Sequence, residues 1–101
     1  MPAIVYLVSG QTAHGRTERV LVALRAAGCV ARLVYPTRDG RVSWPTLTTH
    51  DIFILHYGSI RHSVADAGLA LGRRANCAML MIRSLNVRTI VTFVLAQPLR
   101  N

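Results

Sequence analysis

Four carboxylates are the whole supply of acid, base or oxygen nucleophile of that type in this chain: Glu18, Asp39, Asp51 and Asp66. A carboxylate at the rim of a sheet can attack or stabilise an anomeric carbon. Asp66 has the neighbours for such work. His62 lies four residues earlier, so the two share one helical face, and Ser59 and Ser63 stand close by in the chain. This group makes Asp66 the candidate catalytic carboxylate and His62 a residue that tunes it. The structural alternative is plainer. Ser63 followed by Asp66 has the outline of a capping box, and Asp66 would cap its helix and pair with His62 or Arg61. Asp51 opens an apolar run and is expected to cap or turn the chain at the opposite rim. His56 sits inside the run IFILHY and reads as a satisfied core histidine.

A second group is the stretch Gly10-Gln11-Thr12-Ala13-His14-Gly15-Arg16-Thr17. It follows an apolar run and opens a helical pattern, as a phosphate-binding loop does. Its spacing is that of GxxxxGK[ST] with arginine in the lysine position. Backbone N–H groups and a helix terminus hold phosphate in such loops, but a guanidinium fork wraps a phosphate less closely than an ammonium. No acidic metal-holding partner follows a later strand. The stretch is therefore a generic anion or ribose-phosphate cradle, or an ordinary β-to-α loop, rather than a nucleotide hydrolase motif.

Charge narrows the partners. The 101 residues carry 12 basic and 4 acidic side chains, a formal +8, and every basic residue is arginine. Schiff-base and catalytic lysine chemistry is excluded. Such a balance attracts an anion, a nucleic acid or an acidic partner. The arginines run from Arg16 to Arg100 with only Arg73 and Arg74 adjacent, and the few aromatics lie in or beside apolar runs. Nucleic-acid binding is therefore possible but not favoured. Cys29 and Cys77 form no CxxC pair and the four histidines have no ligand spacing, so no metal and no cofactor is expected. The thiols read as reduced and buried. No apolar stretch is long enough to span a bilayer and no leader precedes the first apolar run, which suggests a cytoplasmic protein without membrane contact.

These side chains need elements to position them. Residues 3–8 are a short apolar run that reads as a buried strand. Residues 16–27 carry Val20, Leu21, Leu24 and Ala27 at helical spacing and stop at Gly28. Residues 29–35 are a second strand closed by Pro36. Residues 36–50 are a polar connection with an Asp39-Gly40 turn and a Trp44-Pro45 pair that pins it to the body. Strands follow at 52–57 and 77–82, separated by a helix over 63–74. Residues 88–95 read as a fifth strand in an edge hairpin, or as a short helix. The alternation predicts one Rossmann-like α/β domain of three layers, with a mostly parallel sheet of four to five strands. Ligands in such sheets bind beyond the carboxyl ends of the strands. Residues 9–16, 36–38, 57–62 and 83–84 converge there, which makes Ser9, Thr12, Arg16, Arg38, Ser59 and Arg61 candidate ligand-binding residues.

The stretch 51–82 and the opening IVYLVSG, residues 4–10, resemble the nucleoside 2-deoxyribosyltransferase family. Where the family has a glutamate followed by a small or apolar residue, glycine and alanine, this chain reads Asp66-Ala67-Gly68-Leu69-Ala70. The resemblance implies a doubly wound α/β fold and N-glycoside cleavage or transfer without a metal. It would make Asp66 the nucleophile and Tyr6 the active-site tyrosine, often in dimers that share active sites. Aspartate is a methylene shorter than glutamate, and the acidic residue the family carries beyond its third strand has no counterpart in Tyr57-Gly58-Ser59-Ile60-Arg61. The first expectation is thus a small module that binds a nucleotide-like or other anion, or a protein partner. N-glycoside chemistry through Asp66 is the alternative, and the aliphatic surface suggests a homo-oligomer.

Overall fold

The computed structural model describes residues 3–10 and 14–98, with only the backbone described for His14. Candidate Thr12 lies outside the described residues. Four strands form one sheet: β1 (Ile4–Val8), β2 (Val30–Val34), β3 (Ile52–His56) and β4 (Ala78–Ile82). Their order is β2-β1-β3-β4 and every pairing is parallel. Three helices, α1 (His14–Ala26), α2 (His62–Ala75) and α3 (Val87–Leu95), complete a three-layer α/β domain. Among the described residues no helix is long and apolar enough to cross a membrane.

Side-chain alternation along the parallel strands assigns each face. Val5, Leu7, Ile52 and Ile54 meet Val20, Leu21 and Leu24 of α1 and Ile90 and Val94 of α3. Tyr6, Val8, Phe53 and Leu55 meet Trp44, Leu69, Leu71 and Met79 on the other face, which α2 covers. The 35–51 connection crosses on this second face. Trp44 lies tilted against Phe53, with ring centroids 6.2 Å apart. Two glycines let α2 approach: a Cβ at Gly68 would strike Leu55 and Trp44, and one at Gly72 would strike Met79.

Helix ends follow local chemistry. The Gly28 N–H donates to the Arg25 carbonyl and the Cys29 N–H to the Leu24 carbonyl, with Gly28 at φ +90°. That is the paired closure a left-handed glycine permits after a helix. Asn76 plays the same part after α2, at φ 54°. The start of α2 differs from expectation. The residue before its first turn is Arg61, with no side-chain cap, and Ser63 already lies inside the helix. No Ser63–Asp66 capping box forms, because the chain leaves extended geometry at Arg61, two residues before the serine.

The segment read as strand or helix over 88–95 is helix α3, so the sheet has four strands. The Asn86 side chain accepts from the Thr89 N–H at 3.0 Å, capping the first turn. Ile90 and Val94, four apart, are its buried positions. The β-branched residues favoured a strand by composition. The cap and a face to bury beside α1 outweigh that preference.

Candidate functional site

The carboxyl ends of the strands form one rim, and β1 lies where the chain's direction across the sheet reverses. From β1 the chain runs through α1 to β2 on one side, then over the opposite face to β3 on the other. Val8 pairs with Leu55, so the next residues, Ser9 and His56, stand side by side at this switch point. Ser9 Oγ lies 2.8 Å from His56 Nδ1. A single 3₁₀ turn, Tyr57–Ser59, then returns Ser59 to the same ring nitrogen, with Oγ 2.9 Å away. Ser59 Oγ also accepts from the Gly10 N–H at 2.8 Å, and its hydroxyl is 3.0 Å from the His56 carbonyl oxygen. The two serine oxygens are 3.3 Å apart.

His56 is 2% exposed. Burial lowers its pKa from the ordinary 6.5, a hydrogen bond to the Arg83 backbone opposes that, and the Arg16 charge lowers it further. Both serine hydroxyls face Nδ1, and Ser59 also has the His56 carbonyl and the neighbouring serine within reach. His56 is therefore the satisfied buried histidine expected from its run, and it ties the loops after β1 and β3 together.

A cavity of about 270 Å³ opens beside this cluster, lined by Gly10, Pro36, Thr37, Arg38, Gly40, Ser59, Ile60, Arg61 and Val64. It joins three of the four segments expected to converge. The Asp39-Gly40 turn forms: Gly40 N–H donates to the Thr37 carbonyl and Thr37 N–H to the Arg41 carbonyl. Gly40 has φ +80°, a conformation that favours glycine, and Arg61 Nη1 passes close by, 3.5 Å from where a Cβ would stand. Arg61 Nη2 donates to the Arg38 carbonyl at 3.0 Å. The guanidinium is thus held across the turn at the mouth of the cavity.

The other candidates scatter. Ser9 is fully buried against His56. Arg16 is exposed at the start of α1, near enough to His56 for its charge to act. Tyr6 is buried in the apolar cluster under α2. Asp66 and His62 are exposed on α2, and neither they nor Tyr6 line the cavity.

Asp51 holds the opposite rim, as expected of a residue opening a strand. It is 6% exposed. One carboxylate oxygen accepts from the Ile4 N–H at 3.1 Å, the other from Thr48 N–H at 2.9 Å and Thr48 Oγ1 at 3.2 Å. The Ser9–His56–Ser59 cluster was not anticipated as a unit. Its signal was a polar ring at the end of an apolar strand, which needs partners once buried.

No family model matches this chain, and no curated protein or solved structure matches it.

Proposed function

We propose that the protein is a binding module for a small phosphorylated, nucleotide-like anion, seated in the cavity at the β1/β3 switch point. The observation that carries this reading is the lining itself. Arg38 and Arg61 flank a cleft that no acidic side chain lines among the described residues, at the place where open α/β sheets take ligands. The volume, about 270 Å³, lies just below the usual range for small-molecule pockets. It suits a phosphate with a ribose better than a dinucleotide. One Arg61 nitrogen is engaged by the Arg38 carbonyl, and the remaining donors of that guanidinium are the ones an oxyanion would engage. Ser59 and Gly10 also line the cleft.

Titration of the protein with ribose 5-phosphate and AMP by calorimetry tests this reading. Saturable binding that weakens as salt rises, and falls at least tenfold in Arg61→Ala, is the expected result. Absence of binding to either compound at millimolar concentration overturns it. The same mixtures, followed by chromatography for free base, test the N-glycoside alternative. Release of adenine that disappears in Asp66→Asn would place the chemistry on α2 instead.

A further inference from the structure

We propose that the free edge of β4 pairs antiparallel with β4 of a second copy of this chain, joining two four-stranded sheets into one of eight. The argument begins at the edges. The sheet order leaves β2 and β4 outermost. An edge strand offers a row of unpaired backbone donors and acceptors, and solitary proteins blunt it with charge, proline or a bulge. β4 carries none of these. Its sequence is Ala78-Met79-Leu80-Met81-Ile82, uncharged throughout, and Met81 is 41% exposed. Such a run is typical of strands flanked on both sides.

Charge selects which edge and which partner. A chain of net +8 repels its own copies unless they meet along a neutral strip. On β2 the central residue is Arg32, exposed. A two-fold axis there would set two guanidinium groups opposite each other. On β4 the arginines stand outside the strand, at Arg74 and Arg83. With the axis at Leu80, Ala78 faces Ile82 of the other copy, Met79 faces Met81, and Arg83 faces Cys77. Within residues 77–83 no two arginines face each other in this register. β4 is thus compatible with its own reversal.

The side chains agree with the backbone. Ala78, Leu80 and Ile82 border the core beneath α1 and α3, while Cys77 and Met79 border the one beneath α2. Reversal about Leu80 keeps each residue on its own face of the joined sheet. Met81 would come under Met79 of the second copy, where a flexible thioether fills an irregular gap well. Cross-strand apolar pairs of this kind stabilise a sheet beyond its backbone bonds.

Sedimentation equilibrium and light scattering of the full chain across micromolar concentrations provide the first test. The expected mass is twice the 11.1 kDa of one chain, and a single-chain mass throughout overturns the proposal. Met81→Lys is expected to return the protein to one chain with an unchanged circular dichroism spectrum. A dimer that survives this change also overturns it. Should that variant fail to fold, Leu80→Cys decides. Mild oxidation should yield a disulfide between the two residue-80 positions, identified by peptide mass, and its absence removes the register and with it the proposal.

Discussion

Ser59 Oγ stands 2.9 Å from His56 Nδ1 while accepting the Gly10 N–H at 2.8 Å. One hydroxyl therefore holds the end of β3 to the loop after β1. Ser9 approaches the same nitrogen at 2.8 Å but serves fewer partners. Ser59→Ala would leave the Gly10 donor unpaired, a cost of about 1–3 kcal/mol. Ser9→Ala would leave Ser59 on the imidazole and cost about 1 kcal/mol. Urea unfolding of the two variants should rank Ser59→Ala as the more damaging. The opposite order would show that the hydroxyls do not divide the work this way.

His56 makes stability depend on pH. Its folded pKa lies below the ordinary 6.5, first through burial and then through Arg16, against the opposing Arg83 backbone bond. The unfolded chain therefore takes up a proton at a pH where the native protein does not. The stabilising contribution is complete above about pH 6.5 and is lost as pH falls toward the folded pKa. The urea midpoint should drop between pH 7.5 and pH 5, and the drop should shrink in His56→Asn. An equal slope in that variant would assign the effect to other groups.

Two glycines that the phosphate-loop spacing treats alike have opposite surroundings. A Cβ at Gly10 would collide with the Ser59 backbone carbonyl, whereas one at Gly15 meets nothing within 4 Å among the described residues. Gly15 lies inside α1, where alanine is favoured over glycine by roughly 0.5–1 kcal/mol. Gly10→Ala is expected to destabilise by about 1–3 kcal/mol, since backbone must shift to admit it. Gly15→Ala should raise the melting temperature. Thermal scans of both proteins provide the comparison, and a destabilised Gly15→Ala would mean that the start of α1 needs glycine.

At the other rim, Asp51→Ala would remove the acceptor for two backbone N–H groups and one hydroxyl. The loss should be about 3 kcal/mol in urea unfolding, given the cost of orphaned donors. Asp51→Asn should recover less than half, because its single oxygen serves only one side and its amide meets a donor on the other. Phosphate-ligand affinity at the β1/β3 crevice should be unaffected while the variant remains folded. A selective loss of affinity would connect the two rims.

Much of the architecture was legible locally. The apolar runs at 3–8, 29–35, 52–57 and 77–82 read as strands because short continuous apolar segments alternating with helical patterns have few other uses. Gly28 as a helix stop, Asp39-Gly40 as a turn, Trp44 as an anchor and Asp51 as a strand-opening cap each depend on neighbours a few residues away or on burial alone. The class of fold follows from their alternation. The partners of His56 were not legible, because they depend on strand register. The pairing of Val8 with Leu55 brings Ser9 to a residue 47 positions away, and no periodicity within either strand specifies that distance. The state of 87–95 was equally ambiguous in composition. The Asn86 cap and the α1 face that receives Ile90 and Val94 made it a helix. The family resemblance pairs Asp66 with Tyr6, yet Asp66 is exposed on α2 and Tyr6 is buried beneath that helix. Chain spacing sets which side chains are available to a site. Only the packing of helices on a registered sheet decides which of them meet, because that choice is made by long-range burial rather than by any local preference.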